Sequence, residues 1–157
     1  MTARDAAGQV ITDELDAAEL PHHQVAPDAW TTVLSGERKR TLPVLLSVDD
    51  RSLHVEALLC GRPDENHARV YRYLLQRNRK RLPVHFALDD DGDVILTGAI
   101  PLATLDATSF DQLLGAVLTT ADEVFDAVLR LGFASYIAAE QRWRAANDLP
   151  PNPVGGG

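Results

Sequence analysis

Five histidines, one cysteine and four aspartates gathered around a glycine are the side chains in this 157-residue chain whose types suit metal, nucleophilic or calcium chemistry. Spacing decides what each can do. With Gly92 at the sixth position of a calcium loop, the run Asp89, Asp90, Asp91, Gly92, Asp93 would need ligands at Ala87 and Gly98, its first and twelfth positions, and neither can supply a carboxylate. The run reads instead as a solvated hairpin turn, with Asp91-Gly92 suited to type I′ geometry. His22 and His23 adjoin each other between prolines with no third ligand nearby. His54 and His85 alternate with apolar residues in strand-like runs, and His67 lies on the apolar stripe of a helix; each reads as a lone structural histidine. Cys60 has no second cysteine for a disulfide or a redox pair and reads as a small buried hydrophobe. The glycine-rich dinucleotide and phosphate loops, the GxSxG elbow and the HExxH zinc motif are all absent from the sequence. With no positioned nucleophile or acid–base pair, the sequence assigns no catalytic residue, no cofactor and no metal, and the expectation is a protein that is not an enzyme.

Charge narrows the partners. Fifteen Lys and Arg against 23 Asp and Glu leave a net charge of −8, a field that disfavours nucleic acid and anionic membrane as long-range partners. Two basic runs stand against this background, GERKR from Gly36 to Arg40 and RNRKR from Arg77 to Arg81. The second suits the negative end of a helix dipole. As solvated faces the two runs need no ligand; as local contacts they would take a phosphate backbone or an acidic partner. No apolar run approaches the length of about 18 residues that a membrane span requires. The N-terminal stretch lacks the apolar core of a signal peptide, so the expected location is the cytoplasm.

Area scaling buries roughly 69% of the unfolded surface of a chain this long, which supports one core. A single domain over residues 8–147 is expected, with flexible tails at 1–7 and 148–157. Ile11, Leu15 and Ala18 mark a first helix from Val10 to Leu20, and the proline-bounded segment 21–28 reads as a connector. Alternation then gives strands from Trp30 to Leu34, Leu42 to Val48 and Leu53 to Cys60, an antiparallel meander. Pro63, Asp64 and Glu65 open a second helix that reaches Asn78 and buries His67, Val70, Tyr71, Leu74, Leu75 and Asn78. Val84 to Leu88 and Val94 to Ile100 form a second hairpin. The long stripe from Phe110 to Leu129 predicts a helix capped by Thr108 or Ser109 and closed by Gly132, with Phe125 in the core and Asp126 and Arg130 exposed. A shorter helix runs from Ser135 to Ala146. The whole is an α+β two-layer domain, an antiparallel five-stranded sheet with helices packed on it, in the order α-β-β-β-α-β-β-α(-α).

One stripe of the second helix extends sideways past this core. Asn66, Val70, Tyr73 and Arg77 lie beside the buried face, and exposed Tyr and Arg are enriched at interfaces. They are the candidate dimer or partner contact, with a sheet edge as the alternative.

The Trp30 strand ending in GERKR, the PDENH run from Pro63 to His67 and YRYLLQRN from Tyr71 to Asn78 carry a resemblance. DDDGDVIL with its following IPL, LLGAVL with Asp122 and Phe125, LGF from Leu131 to Phe133 and EQRWR from Glu140 to Arg144 extend it. In this order the chain resembles the YbjN family, in its actinobacterial form, within the type III secretion chaperone-like fold. The resemblance implies a bacterial homodimer without enzymatic activity or cofactors that binds an unidentified protein or peptide client in a chaperone-like way, with a regulatory role in sensing or stress response. A nucleic-acid-linked regulator using the basic runs is the second reading and a small enzyme the third.

Overall fold

The computed structural model describes residues 1–80 and 83–154. Arg81, the end of the second basic run, and the three terminal glycines lie outside the described residues. Helix α1 spans Ala3–Ala17 and so begins well before the expected Val10. Thr2 and Asp5 form a capping box, in which each side chain accepts the other's backbone N–H. Ala7, Ile11 and Leu15 recur on its buried face, and Arg4 pairs with Asp28 and Asp50 at 2.9 Å each. Residues 3–7, expected as a tail, are therefore part of the fold.

The sheet has six strands, one more than expected. β1 (His22–Ala26) occupies the segment expected as a connector, and β2 (Ala29–Leu34), β3 (Leu42–Val48) and β4 (Ser52–Cys60) follow as the meander. β5 (Val84–Leu88) and β6 (Val94–Pro101) complete an antiparallel sheet in the order β1-β2-β3-β4-β6-β5. β1 escapes a reading by periodicity because it is an edge strand with no buried residue. Its place rests on the backbone ladder to β2 and on the Thr32 hydroxyl, which donates to the Pro21 carbonyl at 2.8 Å. In β3 and β4 the alternation is as the sequence predicts: Leu42, Val44, Leu46 and Val48 and then Leu53, Val55, Ala57 and Leu59 are buried beneath the helices.

The β5–β6 turn closes differently from expectation. Gly92 alone takes a positive φ, 84°, and its N–H donates to the Asp89 carbonyl. This is a type I turn followed by glycine, not the type I′ turn that needs two such residues. Asp89 spends its carboxylate on the N–H groups of Asp91 and Asp93, at 2.9 Å each.

α2 (His67–Arg77), α3 (Ala107–Gly132) and α4 (Ala134–Ala146) supply the helical layer with α1, and a single 3-10 turn over Leu102–Thr104 leads into α3. α3, about 39 Å long at 1.5 Å per residue, packs on β4, β5 and β6 and against α1 and α2. Its cap is Asp106, in a capping box with Ser109, so the helix starts just before the Thr108 or Ser109 expected as cap. Phe110, Leu113, Val117, Ala121, Val124 and Val128 form its buried face. Phe125 is half-buried with the Lys39 ammonium 5.0 Å from its ring centre. Asp126 is not a free surface position but pairs with Arg38. Gly132 is buried within the last turn rather than following it, where an added Cβ would lie 3.0 Å from Pro63 Cβ and 3.3 Å from Val70 Cγ2. Close approach, not left-handed backbone, demands glycine there. Residues 148–154 of the segment expected as a C-terminal tail fold back: Gln141 and Asn152 exchange two hydrogen bonds of 2.9 Å, and Arg130 donates to the Val154 carbonyl.

Candidate protein-contact surfaces

The structure turns the α2 stripe inward. Val70 is fully buried, Tyr73 is half-buried against the core, Asn66 donates its side-chain amide to the Leu131 carbonyl at 2.8 Å, and Arg77 pairs with Glu123 at 2.8 Å. Leu75, expected in the core, is 67% exposed. The helix is rolled by roughly 50° from the expected orientation at 100° per residue, so that Val70 and Leu74 centre its buried face. Two observations fix the roll. Gly132 leaves room for Val70 under the end of α3, and the Glu123 carboxylate draws Arg77 toward α3. A signal for the exposure of Leu75 was present, since on a helical wheel it falls beside Arg72 and Arg79.

Two anchors hold this layer together. After β2, the backbone N–H groups of Glu37, Arg38 and Lys39 all donate to the Asp122 carboxylate, at 2.8, 3.1 and 2.9 Å. Burial pushes the Asp122 carboxyl up, but these three donors and the Arg38 charge outweigh it and hold its pKa below the usual value. A Cβ on Gly36 would collide with that carboxylate. The GERKR run is thus a loop wrapped on an acid of α3. At the C-terminal end of α3, the N–H groups of Asp64 and Glu65 donate to the Gly132 carbonyl, and Asn66 adopts a left-handed conformation with φ 54°. The Glu65 carboxylate accepts from the Ser135 N–H at 2.6 Å and from its hydroxyl at 3.1 Å, bonds that lower its pKa. The PDENH run therefore joins α2 to the α3–α4 corner.

Beyond these anchors lies uncovered apolar surface. Tyr71, Leu74, Leu75 and Asn78 of α2 and Phe86, Ala87 and Leu88 of β5 line a groove of about 270 Å³, with Leu75 and Leu88 projecting from it at 67% and 44% exposure. β5 is a sheet edge, and Asn78 closes part of it: its amide donates to the Phe86 carbonyl at 3.1 Å while its oxygen accepts the Phe86 N–H at 2.8 Å. Asn78 so occupies the place that a neighbouring strand would take at this residue.

Three of the histidines first considered for chemistry are engaged locally. His22 bonds Asp16 at 2.7 Å, His54 bonds Asp49 at 2.8 Å and His67 bonds the Pro63 carbonyl at 2.6 Å. Burial pushes the Cys60 thiol up to about 11, away from the thiolate a nucleophile needs. Among the described residues no three His, Cys, Asp or Glu are grouped as metal ligands, and no helix is long and apolar enough to cross a membrane.

A six-stranded antiparallel sheet covered on one face by helices, with apolar grooves rather than a charged cleft, defines the class by its fold. Over 80% of this chain and 95% of that chain it superimposes on a chain of the crystallised ExsC–ExsE complex, with a TM-score of 0.61 and 21% identity. The heterodimeric ExoU–SpcU complex from the type III secretion system of Pseudomonas aeruginosa gives 0.55 and 17% identity over 73% of this chain and 94% of that chain. The architecture is that of the type III secretion chaperone-like fold. Residues 8–130 match the YbjN family, described as "Putative bacterial sensory transduction regulator". An uncharacterized protein of Mycobacterium tuberculosis is 43% identical over 141 residues, covering 87% of this chain and 77% of the relative. The chain belongs to the YbjN family.

Proposed function

We propose that the protein is a homodimeric, non-enzymatic protein-binding module of chaperone type, which serves a regulatory role in sensing or stress response in the cytoplasm. The observation that carries this reading is the groove between α2 and β5, where Leu75 and Leu88 leave apolar side chains in water beside a wall of Tyr71, Leu74 and Phe86. Exposed apolar surface of this kind is the mark of a protein contact. The fold neighbours are complexes of two proteins, which supports the same reading. The basic runs favour it over a nucleic-acid contact, because Arg38 and Arg77 pair with Asp126 and Glu123 and Lys39 lies over Phe125. In the dimer the α2 stripe contributes through the edge of Tyr73, while Val70 is already covered within the chain.

Capture from the native lysate on immobilised wild-type protein and on a Leu75→Asp variant tests the module. A protein retained in stoichiometric amount by the wild type and lost by the variant supports it. Retention of nucleic acid that washes off steeply with salt would transfer support to the nucleic-acid reading, and identical proteins on both columns would remove the groove. Light scattering at tens of micromolar, an association range on the scale of weak to moderate dimers, reads the oligomeric state; a monomer contradicts the homodimer.

A further inference from the structure

The face of the sheet turned away from the helices carries a second uncovered surface, and its register shows how it is built. Val33 stands opposite Pro43, Leu58 opposite Ile95 and Ile95 opposite Ala87. The pairing of Val44 with Ala57 sets Pro43 beside Leu58. One apolar row therefore crosses β2, β3, β4, β6 and β5, spanning about 19 Å at roughly 4.8 Å per strand. Leu45 lies in the next row beside Glu56. While Ala87 lines the α2–β5 groove, Val33, Pro43, Leu45, Leu58 and Ile95 floor a concave surface of about 430 Å³ whose margin includes Glu56, Asp89 and Asp93. Leu45 and Leu58 remain 39% and 36% exposed within it. No lysine or arginine lines it among the described residues.

We infer that this outer sheet face receives a segment of another protein that is apolar along one side and carries Lys or Arg along its flanks. The inference rests on the protein-binding reading above and names the chemistry of the partner. Charge selects the occupant. The floor is apolar, the margin is acidic, and the chain as a whole carries −8, so a flanking cation gains at each carboxylate what a flanking acid loses. A second copy of this chain laid face to face would bring two sets of Glu56, Asp89 and Asp93 together around the same apolar floor. The protein's own C-terminal segment is engaged elsewhere, since Asn152 and Val154 are bonded to α4 and α3. The part of the row that floors this surface crosses four strands, about 14 Å at roughly 4.8 Å per strand, the length of a partner helix of roughly 10 residues at 1.5 Å per residue.

Two synthetic peptides test the assignment, with the same leucines and valines on one side and either lysines or glutamates on the flanks, titrated by fluorescence anisotropy. The lysine peptide should bind, weaken as salt rises, and exceed the glutamate peptide by about tenfold or more. Leu58→Asp should abolish its binding, and Glu56→Lys should weaken it while strengthening the glutamate peptide. Leu75→Asp, in the α2–β5 groove, should leave it unchanged. Circular dichroism of each variant establishes that the fold is retained. Equal binding of the two peptides, failure of both to bind, or full binding by folded Leu58→Asp overturns the inference. A wild-type dimer that Leu58→Asp splits also overturns it, by giving the face to a second copy. Loss of the peptide in Leu75→Asp alone would overturn the outer face yet leave the protein-binding reading standing, and lysate capture decides that reading independently.

Discussion

Along the C-terminal half of α3 the charged groups are consumed by the chain itself, whereas along the α2–β5 groove and across the outer sheet face the apolar groups are left uncovered. Asp122 holds three backbone N–H groups of the GERKR loop, and Glu65 holds Ser135 at the α3–α4 corner. Leu75, Leu88, Leu45 and Leu58 have no such cover. The contrast separates residues that build the fold from residues available to a partner. Within the basic runs Arg38, Lys39 and Arg77 are engaged by Asp126, Phe125 and Glu123, whereas Leu75, expected in the core, is exposed.

The largest effect should come from the core beneath α3. Phe110 is 1% exposed, and Phe110→Ala should cost about 3 to 5 kcal/mol by denaturant unfolding. Phe125→Ala should cost less than this, because the ring is half-buried under Lys39. Equal losses at the two positions would break the assignment of the buried face.

Asp122→Ala should come next. It leaves three backbone donors without their acceptor, a loss of about 1 to 3 kcal/mol, and should raise hydrogen exchange at Glu37, Arg38 and Lys39. No change in either measurement would show that the loop holds its shape unaided.

The acid limb of stability sharpens the same side of the comparison. Asp122 and Glu65 have folded pKa values below their usual 3.8 and 4.5. The unfolded chain therefore binds protons first, and the stability these groups add is present above the usual values and lost as pH falls through the lowered ones. Thermal melts between neutral pH and about pH 3 should show that loss in the wild type and a shallower one in a variant carrying Asp122→Asn and Glu65→Gln. Parallel acid limbs would assign the pH dependence to other carboxylates.

The smallest effects on stability should lie on the uncovered side. Leu75→Asp and Leu58→Asp should each change unfolding stability by no more than about 0.5 kcal/mol. A larger loss at either would mean that the side chain supports the fold.

The buried strands and helices were legible because their faces differ: Leu42 to Val48 and Leu53 to Cys60 alternate cleanly, and the α3 stripe keeps helical phase from Phe110 to Val128. β1 was not legible, because both faces of an exposed edge strand meet water and no alternation records its pairing. The start of α1 was hidden in a capping box rather than in apolar spacing. Asn66, Val70, Tyr73 and Arg77 share a stripe at helical spacing, but the sequence does not encode how far a helix rolls. That roll depends on Gly132 and Glu123, which approach only in the folded chain. The outer-face row was equally hidden, since it comes from register across five strands and not from any one of them.

Amide hydrogen exchange of the protein alone and with a captured partner tests most directly whether the uncovered surfaces are the ones that bind. Binding should slow exchange in residues 71–78 and 84–88 or across β3, β4 and β6, and leave the anchored N–H groups of Glu37, Arg38, Lys39, Asp64 and Glu65 as they were. Protection confined to those anchored segments, with the groove and the outer face unchanged, would contradict the account.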